Sequence, residues 1–305
     1  MRRSSMHRRR RLAAWTAGVT LPAALLAGCE PDPTDGVFPD RDVAQADANG
    51  GSDGTGGGDT VTVGGFSGQW AMVAEWSTCV KVVDELETRA WRLLLVDIEH
   101  ANNRMSEKRT LCDLRLTPIL GLPTVVPQPV IDAHPVMQVE SVVLGGEGVG
   151  AAYAGGSEVQ RFGIEFPTDP LGEPMPTKLD IDDPRLVDVE EDGQPGATFH
   201  VGPSCSIHIA QREVSTLSGT LVAEGRFEGG GIHTTEQVVF SSTKAICGQT
   251  FSTRPNDAQN RFAMVRAGAF DDDGDGKVTC AELREHGSEV LAALPADDAR
   301  CQAAK

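Results

Sequence analysis

The chain has 305 residues, 40% of them hydrophobic and 23% charged, with 27 basic against 44 acidic side chains and a formal charge of −17. That composition is enough for a core of ordinary size, in one large domain or two smaller ones. So negative a surface repels nucleic acid and anionic headgroups and attracts divalent cations, which excludes nucleic acid as a partner.

Residues 1–28 have the pattern of a signal peptide. Arg2, Arg3 and Arg8 to Arg11 make a basic start, and the apolar stretch from Leu12 to Leu26 is too short to span a bilayer. Without those six arginines the formal charge is −23. The stretch ends in Leu26-Ala27-Gly28-Cys29, which resembles the lipobox of bacterial lipoproteins. The resemblance implies cleavage before Cys29 and palmitate-like acyl chains on it, hence a membrane partner through an N-terminal lipid anchor. Glu30, where a retention signal would have Asp, implies the outer membrane of the bacterial cell envelope. Each buried CH₂ contributes about 0.8 kcal/mol, so several acyl chains hold firmly. Residues 29–65 are rich in Gly and Asp with almost nothing to bury, and such a segment is expected to be a disordered tether.

Residues 66–252 have the pattern of a β-rich domain. "WAMVAEW", "AWRLLLVDI", "TLCDLRL", "VMQVESVVL", "CSIHIAQREV", "GTLVAEGRF" and "HTTEQVVF" are short runs of alternating or continuous apolar character. They are separated by Gly and Pro clusters such as "GLPTVVPQP", "PLGEPMP" and "EGGG". The pattern predicts a mainly β fold, an antiparallel barrel or sandwich. Gly68-x-Trp70 resembles the opening of the first strand in lipocalin-like barrels, which implies that Trp70 closes the barrel floor and that a small apolar ligand occupies the interior. A large core residue is the alternative for Trp70, and a filled core the alternative for the interior.

His200, His208 and His233 are the histidines close enough in sequence to suggest a transition-metal site. In "CSIHIA", however, His208 alternates with Ile207 and Ile209, which predicts that it faces solvent. Asp188-x-Glu190-x-Asp192-Gly193 begins like a calcium loop, but Gly196 and Phe199 stand where closing carboxylates belong, and a polar turn is expected there. No nucleophile elbow, zincin helix or phosphate-cradling loop is present, so the chain is expected not to be an enzyme.

The stretch "DDDGDGKVTCAE", residues 271–282, has a different character. A hard cation needs six to eight oxygens at about 2.3–2.6 Å, and a short loop supplies them by winding around the ion. Asp271, Asp273 and Asp275 alternate, Gly276 permits the sharp bend, Lys277 offers its carbonyl, Thr279 its hydroxyl or a bound water, and Glu282 two closing oxygens. The spacing resembles the EF-hand loop at all twelve positions, which implies Ca²⁺ as the ligand and a small helical EF-hand module over residues 253–305. A helix is expected from Asn256 to Phe270 with Ala263 and Ala267 facing inward, then a short exit helix ending near His286 and Gly287, and another capped by Ser288. A single hand fits a structural staple or a docking surface for a protein partner better than a sensor.

Apart from Cys29, six cysteines remain: Cys79, Cys112, Cys205, Cys247, Cys280 and Cys301. An even number in an exported chain predicts three disulfides, with pairing in chain order favoured among the alternatives. The whole therefore reads as a lipid-anchored envelope protein that binds calcium in a structural or interaction role. The alternative is a lipocalin-like carrier of a small apolar ligand with a calcium-stabilised tail.

Overall fold

The computed structural model describes residues 65–81, 85–118, 122–245, 247–248, 251–294 and 301. Cys29, the signal peptide and all but the last residue of the expected tether lie outside the described residues, which belong to one unit, Asp59–Lys305. No described helix is long and apolar enough to cross a membrane.

The fold is mainly β and antiparallel, as expected. Its strands are β1 (Gly68–Lys81), β2 (Glu85–Ala101), β3 (Arg104–Leu116), β4 (Thr124–Val125), β5 (Met137–Leu144), β6 (Ala152–Gly155), β7 (Glu158–Phe162), β8 (Ala197–Val201), β9 (Ser206–Ala223), β10 (Arg226–Ser242), β11 (Ser252–Pro255) and β12 (Arg261–Arg266). The short helices are α1 (Gln128–Asp132), α2 (Cys280–Glu285) and α3 (Gly287–Leu291). All twelve strands join one sheet. Pairings run β1–β2–β3–β5–β6–β9–β10–β12 and return to β1, so the sheet closes into a barrel. Closure leaves each strand of the ring with two neighbours and removes the unpaired edges that invite aggregation. The small strands β4 and β8 bridge β3 to β9, β7 lies on β9, and β11 extends β12's pairing along β1.

Strand β1 is apolar without alternation from Trp70 to Ala74 because both of its faces are covered. Trp70, Met72, Ala74 and Trp76 point into the barrel core, while Ala71 and Val73 join a second cluster on the outer wall. That outer cluster adds Leu93 and Leu95 of β2, Ala263 of β12, and Ala267, Phe270, Val278, Leu283 and Val290 from the C-terminal segment. By contrast β5 alternates strictly, with Met137, Val139, Ser141 and Val143 buried and their neighbours exposed.

The expected entry helix is not formed. Residues 252–255 and 261–266 are strands paired to β1, joined by a short 3₁₀ turn, and 267–270 form one more such turn. Alternation explains the difference: Phe262 and Met264 enter the core while Ala263 faces outward, a period of two that the helical reading overlooked. The sheet therefore continues past residue 252, where the β region was expected to end. Two further boundaries differ. "GTLVAEGRF" is not one strand but a hairpin turn at Glu224-Gly225 between β9 and β10, with Gly225 at φ +69°. "EGGG" does not separate strands but lies inside β10.

Those glycines are needed for packing. Gly219 and Gly229 are register partners, and the Phe262 ring lies across them. A Cβ on Gly219 would stand 2.3 Å from the Glu228 carbonyl oxygen and 2.9 Å from the Phe262 ring.

The disulfides are Cys79–Cys301, Cys112–Cys280 and Cys205–Cys247. Chain-order pairing holds for Cys205–Cys247 and fails for the other four cysteines. Cys79 on β1 and Cys112 on β3 are separated by β2, and strands two apart lie roughly 10 Å from each other, beyond the reach of a disulfide. A register shift in the β2–β3 pairing lets both Leu111 and Leu114 face the core and turns Cys112 outward, toward α2 and Cys280.

Gly219→Ala is expected to lower the unfolding free energy by about 1–3 kcal/mol through overpacking. Gly268→Ala, with nothing within 4 Å of the added methyl, serves as the neutral control in urea denaturation.

Candidate metal loop and barrel interior

Loop 271–282 hangs between the 3₁₀ turn 267–270 and α2, on the outer wall of the barrel. Its curvature comes from carboxylates that accept backbone N–H groups. Asp271 takes those of Gly274 and Gly276, each at 2.9 Å, Asp273 that of Asp275, and Asp275 that of Lys277. Gly274 and Gly276 adopt φ of +72° and +85°, where a side chain would be strained. The oxygens of Asp271, Asp273 and Asp275 lie within 4.8 Å of one another, and among the described residues no other such group of His, Cys, Asp or Glu occurs.

Glu282 stands outside that trio. Its carboxylate accepts the N–H of Asp272 at 3.1 Å and both the N–H and the hydroxyl of Thr279 at 2.8 Å, forming a capping box at the start of α2. The Thr279 hydroxyl first, and then these backbone donors, hold its pKa below the ordinary carboxylate value. Lys277 is exposed. Val278 is buried in the outer cluster, and its backbone exchanges two hydrogen bonds with the Gln69 side chain of β1, at 2.7 and 3.3 Å.

The exit side matches the expected short helices, although α3 starts at Gly287 rather than after Ser288. His286, where a bulky apolar residue belongs, lays its ring on Phe270 and bonds Asp272 and Glu289. The Asp272 carboxylate is the main reason its pKa is raised. Cys280 is bridged to Cys112, Arg284 donates to the Cys112 carbonyl, and Arg226 of β10 donates to Ala293. The loop is therefore fixed at both ends to the barrel.

The other sequence candidates separate. His200 bonds Ser206, His208 bonds Thr198, and His233 touches Thr78 and Asn260, so the three histidines do not share a site. His208 is buried, not solvent-facing as expected: its register partner on β8, Thr198, bonds its ring and also ties in the turn that carries Glu190 and Asp192. The Asp188–Asp192 stretch is a turn: Asp188 caps the N–H groups of Asp192 and Gly193, while Glu190 and Asp192 both hold Thr198.

Alternation in the strands also carried a signal the sequence reading missed. Along β3 the inward row is Met105, Glu107, Arg109, Leu111; along β7 it is Glu158, Gln160, Phe162; along β9, Ile209 is followed by Glu213 and Leu217. Charged residues in an apolar row mark an interior polar layer. Arg109 holds Glu107 at 2.7 and 2.9 Å, pairs with Glu158, and donates to the Tyr153 hydroxyl at 2.8 Å. Tyr153 donates in turn to Glu107, and burial raises its pKa so that it stays neutral. A second pair, Arg92 of β2 with Glu213 of β9, spans the interior between strands that are not neighbours.

At one end of the interior Phe66, Trp70, Tyr153, Phe227 and Phe262 form a chain of ring contacts, and the Trp70 indole donates to the Phe66 carbonyl. The Arg266 guanidinium stacks 4.2 Å from the Trp70 ring centre. Outside the wall, a cleft of about 590 Å³ lies between Glu75, Trp91, Arg115 and Leu291. Its buried carboxylate, Glu75, is already held by Arg89, Trp91 and Arg261. No family model, no curated protein and no solved structure matches the chain.

His134, after α1, gives the interior a pH signature. Burial pushes its pKa from 6.5 to about 4, with Arg92 and Arg161 acting in the same direction and the Pro135 carbonyl and Glu158 opposing. Between about pH 6.5 and 4 the unfolded chain takes up a proton that the folded one refuses, so stability falls with falling pH across that window. At about 1.4 kcal/mol per unit the loss approaches roughly 3 kcal/mol. Urea titrations of the wild type and His134→Gln at pH 7 and pH 4.5 check this, with the variant expected to show the smaller drop.

Proposed function

We propose that this is an exported, lipid-anchored protein of the bacterial envelope whose β-barrel is stapled by one calcium ion in loop 271–282. The observation that carries the reading is the convergence of the Asp271, Asp273 and Asp275 carboxylates in a loop with glycines at its two positive-φ positions, Gly274 and Gly276. The remaining oxygens would come from the Lys277 carbonyl, Thr279 and Glu282, in the order the EF-hand spacing requires. Three negative groups held this close repel one another, and a divalent cation relieves that repulsion.

The role is structural because the loop is clamped. Gln69 grips Val278, and the Cys112–Cys280 bridge fixes the first residue of α2, so the segment has little freedom to open a docking groove of its own. Ion binding then acts as stabilisation of the outer cluster under α2 and α3. The lipid anchor rests on Leu26-Ala27-Gly28-Cys29, and three disulfides suit an oxidising compartment.

Extracellular modules bind calcium at about 10⁻⁴ to 10⁻³ M. At a hundredfold excess over the dissociation constant the folded state gains about 2.7 kcal/mol, or roughly 5–10 °C in melting temperature for a domain of this size. Isothermal titration and melting curves of the mature protein in EDTA, calcium and magnesium provide the test. Calcium should release heat and raise the melting temperature by that amount, and Asp271→Ala combined with Glu282→Ala should abolish both. A folded, chelator-stripped protein that gives no heat with millimolar calcium sinks the proposal.

A further inference from the structure

Around the Arg92–Glu213 pair, five side chains leave seven buried nitrogen and oxygen atoms without a hydrogen-bond partner: Trp76 Nε1, Arg92 Nε and Nη1, His134 Nε2, Gln160 Nε2 and Oε1, and Glu213 Oε1. The residues are between 1% and 8% exposed. They belong to one cluster. The Arg92 guanidinium lies 5.5 Å from the Trp76 ring centre and pairs with Glu213. Gln160 is the register partner of Glu213 on the neighbouring strand. The His134 ring packs 5.2 Å from Phe162, the next inward residue after Gln160, and feels the charge of Arg92. The cluster lies away from the aromatic plug, since Trp76 is six residues beyond Trp70 on β1, about 20 Å along the strand.

A single buried polar atom left unsatisfied costs about 1–3 kcal/mol, and the neighbouring Arg109 network shows that this barrel satisfies its buried charges where protein groups suffice. Seven such atoms around one ion pair call for a partner that the surrounding protein groups do not supply. We propose that the barrel interior binds a small, net-neutral, dipolar molecule of the free α-amino-acid type, enclosed by Trp76, Arg92, His134, Gln160 and Glu213.

The lining sets the class of ligand. Arg92, Trp76 and the Gln160 amide nitrogen present donors, suited to a carboxylate. Glu213 and the Gln160 oxygen present acceptors, suited to an ammonium group. His134 is a further acceptor: its Nδ1 lies 2.9 Å from the Pro135 carbonyl oxygen and so carries the hydrogen, which leaves Nε2 with the lone pair. Because Arg92 and Glu213 already neutralise each other, a net ion would leave an uncompensated buried charge, whereas a zwitterion matches both ends. An apolar ligand would leave all seven atoms unpaired. This inference is independent of calcium in loop 271–282, which lies on the outer wall.

The test uses disulfide-intact protein in buffer with and without calcium. Enclosure implies slow exchange, so native mass spectrometry is applied to protein as purified and after overnight incubation with each of the common free α-amino acids at 1 mM, with melting curves in parallel. The expected result is a one-to-one adduct with one or a few of them and a raised melting temperature. Trp76→Phe, which keeps a ring and deletes a donor, and Gln160→Leu, which deletes donor and acceptor, should each weaken that binding roughly tenfold or more. Circular dichroism verifies that the variants fold. No adduct with any amino acid, or an adduct equally strong in both folded variants, overturns the proposal; ordered water would then be what satisfies these atoms.

Discussion

Everything on this barrel hangs from the two-sided burial of strand β1. A strand with alternating faces can leave one side in water, but Trp70 to Ala74 cannot, and covering their outer side recruits the whole C-terminal segment. Small side chains at Ala71, Ala263 and Ala267 let that segment approach the wall closely, and Phe270, Val278, Leu283 and Val290 fill the space above them. The position of the acidic loop follows. It spans the gap between two residues of that cover, Phe270 and Val278, and has no freedom to leave the wall.

The interior obeys a different constraint. Arginine and glutamate side chains at 6% exposure or less pay a desolvation cost that only close pairing repays, and the two layers handle this unequally. Around Arg109, three partners converge and the neutral Tyr153 hydroxyl both accepts and donates, so the network is nearly self-contained. Around Arg92 the pairing is one contact deep, with the indole face of Trp76 below the guanidinium. A barrel built only for rigidity would gain by replacing such groups with aliphatic ones, and their retention sets this layer apart from the aromatic plug at Trp70.

Much of the architecture was legible in the chain because period-two alternation is a local property. The strands containing "WAMVAEW", "AWRLLLVDI" and "VMQVESVVL" are where the pattern puts them. What misled was also local. Asn256 with Gln259 resembles a helix start, yet residues 261–266 complete the ring beside β1, and tertiary pairing overrides the capping signal. Glycines 229–231 look like a break, but the space their side chains would need is taken by Phe262 at Gly229, the Asn260 carbonyl at Gly230, and Thr216, Leu217 and Trp76 at Gly231. The clustering of Asp271, Asp273 and Asp275 was legible because their spacing is local, whereas the capping role of Glu282 was not read from the loop pattern. The interior polar layer left a local trace as charged residues in apolar rows, but its pairing was not legible, since Arg92 and Glu213 are far apart in the chain and meet only when the sheet curls.

The connectivity of the cysteines has a consequence for biogenesis. Cys79 and Cys112 are bonded to partners 222 and 168 residues downstream. A chain made from its N-terminus has the thiols of Cys79 and Cys112 in hand long before Cys280 and Cys301 are added. Were they to join each other, the product would have to be undone by thiol–disulfide exchange before the barrel could close. Maturation of this protein therefore favours an environment that shuffles cystines over one that merely forms them, and its last two cysteines act as the latch that ends the process.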